Sequence, residues 1–373
     1  MPAPYVTTVV EDQSTRVSAN GTVAAGIVIA LKKGKVNTPR LISSQTQFLR
    51  YCTPNERIEI GWDAAHYEAY EYLKTQGRLY VVSAAADEAL YGGCLIKTAE
   101  SNNDNIGLTV GFSALDEVVF ADDDAVLIYG ADQGNYNNDI SVIIVTDPEV
   151  VKLDGAFILK VYKNKVLVES FVCSLDPALK NGFGVNCFIE TVLEGSNYVR
   201  ALSNALPIDG KFGLPKAQTE LLSLVGGDDG SAVTDAERIR ALKTLGNIND
   251  ISLQLIMDGG NTTPTYHKAI DDICVLREDS CHGVLSTPYE DEVNSDALSA
   301  LKAYRKDKLN LNSFNCELYT PHQKMYDEFN DRYVYVSPSC YVSALIAKYA
   351  ESLGWHWAVA GYSRGIVNSF DVA

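Results

Sequence analysis

The spacing of apolar and polar positions changes character twice along the chain. In the first stretch, helix-like and strand-like periods alternate. Thr22 to Leu31 (TVAAGIVIAL) is a continuous apolar run suited to a strand buried on both faces. Lys32 to Pro39 turns the chain, Arg40 to Ile42 predicts a short strand, and Ser44 predicts the N-cap of a helix ending at Cys52. Apolar and aromatic residues then recur at 62, 65, 69, 70, 72 and 73, one face of an amphipathic helix over Trp62 to Thr75. Gly77 stops it before a buried strand, Leu79 to Ser83.

From Ala86 to about Ala205 the helical period disappears. Short strands broken by Asn, Asp and Gly are predicted at Gly107 to Val110, Val126 to Tyr129, Ile140 to Val145, Phe157 to Tyr162 and Val166 to Val172. The last two form a hairpin turning at Lys163 to Lys165. Gly226 to Gly230 (GGDDG) reads as the flexible seam that returns from this β-rich insert. It lacks the G-K-[ST] ending of a phosphate loop, and Asp228 and Asp229 would repel phosphate.

Alternation then resumes. Helices are predicted at Asp235 to Leu245 (Thr234 as N-cap, Gly246 as stop), Thr263 to Glu278 and Ser295 to Lys306. Strands are predicted at Ile251 to Met257, Cys281 to Ser286, Phe314 to Tyr319 and Val334 to Val336. A last helix starts near Cys340 and presents Ala344, Ile346, Ala347 and Ala350 on its apolar face. The pattern predicts a mixed α/β (α+β) fold: a discontinuous three-layer α/β domain from residues 21–85 plus 231–373, with a β-rich domain inserted at 86–230. Residues 1–20 are an extended arm, alternating at Tyr5 to Val10 and too poor in apolar residues to form a core.

A length of 373 residues agrees with several domains, because single cores stop growing near ~250–300 residues. The net charge of −17 argues against a nucleic-acid binder, which needs a basic footprint. It fits a soluble protein, or one whose neighbours supply positive surface. No apolar stretch reaches the ~18 residues of a membrane helix, and the start lacks the basic and apolar regions of a signal peptide. Cytoplasmic residence with reduced thiols is the expectation. The eight cysteines (52, 94, 173, 187, 274, 281, 316, 340) form no C-x-x-C, and Cys281-His282 has no matching second pair, so they read as buried thiols.

Candidate chemistry is sparse. Gly361-Tyr362-Ser363-Arg364-Gly365 fits G-x-S-x-G, the elbow that exposes a nucleophilic serine in α/β-hydrolases. That fold places its acid and histidine after the serine. Here Asp371 follows Ser363 but no histidine does; His66, His267, His282, His322 and His356 all precede it. His322 with Asp327 and Glu328, and His267 with Asp271 and Asp272, read as charged helix or turn faces rather than metal or acid–base groups. Glu290-Asp291-Glu292 and Asp228-Asp229 read as solvated loops. Asp122-Asp123-Asp124 reads as a solvated turn, since it lacks the spaced ligands of a calcium loop. No catalytic, cofactor-binding or metal site is expected.

Several motifs in order resemble those of contractile tail sheath proteins, the bacteriophage tail sheath family. Thr22 to Gly26, then Gly34, Pro39, Phe48 and Leu79 to Val82, is similar to the family's opening unit, with Ser83 where the family carries Arg. Gly134 to Val142 resembles a "G-x-x-G-N-x-I-x-V" strand entry. Phe171 to Leu175, with Asn186 and Ser196-Asn197-Tyr198, resembles "E-x-F-x-x-S-L … N … S-x-Y". The Gly226 to Gly230 seam is similar to "L-x-G-G-x-D-G". Ser337-Pro338-Ser339, Ala344, Ala347, Gly354-Trp355 and Ala360-Gly361 resemble the family's late signature, with Ser343-Ala344-Leu345 departing from its A-G pair.

The resemblance implies a non-enzymatic structural subunit, without cofactor, that stacks as hexameric rings around a tail tube. Contraction would drive the tube through a host envelope, the work being stored in a packing with two arrangements. Implied partners are neighbouring sheath subunits, the tube protein, and baseplate and terminator proteins, with no nucleic acid and no membrane insertion. The implied location is the virion, after assembly in the host cytoplasm. In the family an N-terminal arm and a C-terminal arm enter a neighbour's sheet by β-augmentation. The tube-facing C-terminal domain that receives them is not seen before Ala373, so weak or absent polymerisation of the isolated chain is expected. Within this reading the segment around Ser363 is the exit from the α/β frame, with Trp355 and Trp357 flanking His356 and packing an exit strand.

Overall fold

The computed structural model describes residues 23–147, 149, 151–204, 212–278, 280–355 and 358–367. The first unit begins with β1 (Ala25–Ile29), β2 (Arg40–Ile42), α1 (Gln45–Cys52), α2 (Ala65–Thr75) and β3 (Leu79–Ser83). An all-antiparallel stretch follows: β4 (Gly93–Lys97), β5 (Ile106–Gly107), β6 (Asp124–Gly130), β7 (Ile140–Val145), β8 (Ala156–Lys163), β9 (Val166–Ser174), α3 (Ile189–Leu193), β10 (Val199–Ser203) and β11 (Leu222–Ser223). The α/β alternation returns with α4 (Asp235–Lys243), β12 (Leu255–Met257), α5 (Pro264–Leu276), β13 (His282–Ser286), α6 (Tyr289–Glu292), α7 (Ala297–Ala303) and β14 (Cys316–Tyr319). A hairpin of β15 (Gln323–Asp327) and β16 (Arg332–Val336) leads to α8 (Ser339–Ser352) and the short α9 (Gly361–Arg364).

The α/β strands form one sheet in the order β14-β13-β12-β1-β3-β2, parallel throughout except for β2 at one edge. Its central strands β1, β3, β12 and β13 are largely apolar on both sides because both sides are covered. Ala25, Ile27 and Ile29 of β1, with Leu255 and Met257 of β12, join the core beneath α1, α2 and α8. Val28 and Ile256 point the other way, into the core shared with α4 and α5. Helix, sheet, helix gives three layers. Phe48 and Tyr72 are among the largest fully buried side chains, each contributing roughly 2–3 kcal/mol of apolar burial.

Caps fix the helix starts. Ser44 accepts from the backbone N–H of Gln47, and Thr234 forms a capping box with Glu237. Pro264 occupies the first turn of α5 behind the cap Thr263.

The β-rich stretch makes two four-stranded sheets, β10-β6-β4-β5 and β11-β7-β8-β9, whose inner faces share one core. Ile96, Val126 and Ile128 of the first meet Val142, Ile144, Phe157 and Leu159 of the second. The β8–β9 hairpin turns at Asn164 and Lys165, both at positive φ (+49° and +66°).

The structure revises several sequence expectations. The strand expected at Gly107 to Val110 is confined to Ile106–Gly107. That expected at Ile251 to Met257 begins at Leu255, because the buried guanidinium of Arg277 takes the carbonyls of Leu245, Ile251 and Leu253. The helix expected over Ser295 to Lys306 runs only from Ala297 to Ala303, capped by Asp296, and then widens into π-type turns from Tyr304 to Leu309. The GGDDG seam is tightly held rather than flexible. Leu90 and Asp228 exchange backbone hydrogen bonds, Gly93 and Val225 do likewise, and Asp229 binds Lys32 Nζ and the Asn135 N–H, both at 2.9 Å. Asp124 is buried, not solvated, and with Asp123 it pairs with Lys97 at 2.8 and 2.9 Å. Residues 1–20, His356, Trp357 and Asp371 lie outside the described residues.

Candidate functional site

In an open α/β sheet, ligands bind beyond the carboxyl ends of the strands where the strand order reverses. Here that point lies between β1 and β12, and Asp258 directly follows β12 there. Gly259 and Gly260, at φ +65° and +71°, carry the chain over α2; a Cβ on Gly259 would lie 3.1 Å from the Cβ of Ala65. The crevice is filled by the chain itself.

Five segments converge on Asp258. Its Oδ2 accepts the backbone N–H and the hydroxyl of Ser286, at the end of β13, both at 2.5 Å. Nε2 of His267 lies 3.2 Å from the same oxygen, and Nδ1 of His267 faces the Tyr304 hydroxyl at 2.9 Å. Oδ1 accepts from the Gly260 N–H and from Ser337 Oγ. Ser337 Oγ also lies 2.9 Å from Ser339 Oγ, its single hydrogen serving one of the two acceptors at a time, and Ser339 Oγ donates to Glu68 Oε2 of α2 at 2.6 Å.

Every member of this chain is sealed, with Asp258, His267, Ser286, Ser337, Ser339 and Glu68 each at most 1% exposed. Burial alone would raise the Asp258 carboxyl, but the His267 and Ser286 donors outweigh it and hold the group below its ordinary range. Glu68 is the opposite case. Burial, reinforced by the nearby Asp258 charge, pushes it well above the usual carboxylate range. One of its oxygens, Oε1, has no hydrogen-bond partner.

The arrangement contains serine, histidine and aspartate but not the geometry of nucleophilic catalysis. Ser286 donates to the aspartate rather than to the imidazole, and the other imidazole nitrogen meets a tyrosine. It can fasten β12, β13, α2, α5 and the start of α8 to one another.

Sequence reasoning read His267 as part of a charged face with Asp271 and Asp272. The structure turns its ring to the Asp258 carboxylate and the Tyr304 hydroxyl. The signal available was Asp258 at a strand end followed by two glycines and, nine residues on, a histidine one turn into a capped helix.

The remaining sequence candidates separate. His322 does not join Asp327 and Glu328 on a solvated face. Its Nδ1 pairs at 3.0 Å with Glu292, which is therefore not a solvated loop acid. Asp327 is buried at the end of β15, where Tyr67, Asn330 and Arg332 donate to it. His282 faces Glu317 at 3.7 Å on the neighbouring strand. His66 is fully buried against Trp62, with Nδ1 2.9 Å from the Asp63 carbonyl.

Ser363 lies within the helical turn Gly361–Arg364, not on a strand-to-helix elbow, and its carbonyl accepts from the Tyr349 hydroxyl at 3.0 Å. Among the described residues from 355 to 367 there is no exit strand, and Trp355 is 54% exposed rather than packed. No group of three or more His, Cys, Asp or Glu among the described residues is placed to hold a metal ion. No helix there is long and apolar enough to cross a membrane.

No protein-family model matches the chain, and no curated protein matches it by sequence. Solved structures match it by fold. A sheath tail protein from Listeria innocua superposes over 93% of this chain and 60% of its own, with TM-score 0.50 and 13% identity. A sheath tail protein from Desulfitobacterium hafniense matches over 94% of this chain and 62% of its own, with TM-score 0.46 and 14% identity. The chain thus spans about three fifths of the length of these proteins. Its mixed α/β architecture is a tail-sheath-like fold.

Proposed function

We propose that the chain is a structural subunit of a contractile tail sheath. Subunits would stack as six-membered rings around a tail tube and, when triggered, repack into a shorter, wider helix that drives the tube through an envelope. The observation that carries this reading is the fold shared with the Listeria innocua sheath tail protein over 93% of this chain. The filled switch-point crevice supports it, since the place where such a sheet would hold a ligand is used for internal fastening. Partners on this reading are neighbouring copies, the tube protein, and the baseplate and terminator proteins. A virus tail is the first setting, and a contractile injection or bacteriocin-like particle is the alternative.

Cryo-electron microscopy of particles from the source cells tests the proposal. The expected result is density for this fold in a helical layer outside a tube; density only inside the tube, or none, would sink it. An ester hydrolysis assay on the parent protein and Ser363→Ala tests the enzyme alternative. No turnover by either is expected, whereas turnover abolished by the substitution would install Ser363 as a nucleophile.

A further inference from the structure

Three of the eight thiols meet at one place. Cys274 ends the buried face of α5, Cys281 immediately precedes β13, and Cys316 begins β14. In the parallel register Cys316 stands opposite Gly283, two residues after Cys281, so Cys281 and Cys316 point to the same face of the sheet. Gly283 lacks the Cβ that would obstruct them: an added Cβ would lie 2.5 Å from Cys316 Sγ and 2.8 Å from Cγ2 of Ile270. Ile270 lies one turn before Cys274 on α5. The Cys316 sulfur therefore sits over the glycine, under the helix that carries Cys274. All three cysteines belong to the same packed cluster.

Accessibility differs within the trio. Cys274 and Cys281 are buried. Cys316 is the one partly exposed thiol of the eight, because β14 is an edge strand with a neighbour on one side only. The Cys274 thiol contacts the sulfurs of both Cys281 and Cys316, and these contacts together with burial push its titration upward. The partly exposed Cys316 is the member of the trio that a small oxidant can reach from solvent.

We propose that Cys316 and Cys274 form an oxidation-sensitive pair, in which Cys316 is the thiol oxidised by a peroxide and Cys274 the thiol that resolves it. The Cys316 thiolate attacks the peroxide and breaks the O–O bond, giving a sulfenic acid and releasing hydroxide, or water after proton uptake. The Cys274 sulfur then attacks the Cys316 sulfur and the S–O bond breaks. A disulfide forms and the Cys274 proton leaves with the hydroxyl as water. The peroxide is reduced, and the two thiols are oxidised together. The link would tie the C-terminal end of α5 to the open edge of the sheet.

The test treats the folded full chain with hydrogen peroxide, blocks remaining thiols, and maps peptides by mass spectrometry without reduction. A peptide joining Cys274 to Cys316, reversed by dithiothreitol and lost in Cys316→Ser, is expected. In Cys274→Ala the expected product is instead a trappable sulfenic acid on Cys316. Circular dichroism of each variant checks that it is folded. If the folded parent leaves Cys316 reduced, or oxidises it with Cys274 still free, the pair is refuted. A link from Cys316 to Cys281 would overturn the resolving role of Cys274.

Discussion

The carboxylate of Asp258 and the imidazole of His267 lie 3.2 Å apart with both side chains fully buried, one at the end of a central strand and the other in the first turn of α5. Removing either leaves a charge or donor without its partner in a region water does not reach. Loss of one partner of a buried pair typically costs ~3–5 kcal/mol. Asp258→Ala is therefore expected to lower unfolding free energy by about that much, measured by urea denaturation. A loss under ~1 kcal/mol would mean that the network is not a fastening.

His66 sets an acid limit. Burial, stronger than the pull of Asp63, lowers it to about 4 from 6.5. Above pH 6.5 both folded and unfolded forms hold it neutral, and its contribution is complete. As pH falls from 6.5 to 4 the unfolded chain takes up a proton that the folded chain refuses, so stability falls, by roughly 3 kcal/mol in all. Replacing His66 with Phe should remove that slope in a pH series of thermal melts.

Lys33 acts in the alkaline range. Burial first, then repulsion from Lys163, lowers it from 10.5 to about 8, although its Nζ donates to the Arg50 carbonyl at 3.1 Å. Below pH 8 the charge is present in both states and its desolvation cost is fully felt. Between 8 and 10.5 the folded chain releases the proton first, so stability gains as pH rises. The stability difference between Lys33→Met and the parent should shift by roughly 3 kcal/mol in the parent's favour across that window.

The neck of the β-rich unit depends on glycine at 111. A Cβ there would lie 2.0 Å from the carbonyl oxygen of Gly226 and 2.7 Å from that of Tyr91, both backbone atoms with little freedom to yield. Gly111→Ala should cost ~3 kcal/mol or more. Hydrogen exchange should rise at Leu90, Gly93, Val225 and Asp228, whose amides make the neck bonds.

Tyr67 ties α2 to the β15–β16 hairpin by donating to Asp327 Oδ2 at 2.7 Å. Tyr67→Phe deletes one charge-assisted bond, while Asn330 and Arg332 still serve the carboxylate, so a loss of about 1.5 kcal/mol is expected. Asp327→Ala strands these three side-chain donors and the Phe329 N–H at once and should cost clearly more. Equal losses in denaturant titrations would refute this hierarchy.

The α/β frame was legible because its central strands are largely apolar on both faces and its helices carry recognisable caps, as at Ser44 and Thr234. Asp258 was not, because a lone aspartate after a strand has no local signature; its partners His267, Ser286 and Ser337 come from separate segments up to 79 residues away. The same holds for Asp124, whose triple-aspartate context reads as solvent-facing until Lys97 is brought across the sheet. The hairpin strand Gln323–Asp327 escaped notice since its polar and charged residues mask the alternation of Met325 and Asp327, the two that face inward. The GGDDG stretch misled for a related reason. Glycines that suggest freedom were there to let backbones touch.

The neck formed by Leu90 to Gly93 and Val225 to Asp228 has a mechanical meaning. Its two strands run in opposite chain directions, yet both join the same two bodies. A pull between the α/β frame and the β-rich unit loads them side by side along their axes, and the hydrogen bonds between them are neither peeled nor sheared. The joint should transmit tension as a doubled tether through covalent backbone, and yield first where the strands enter the sheets.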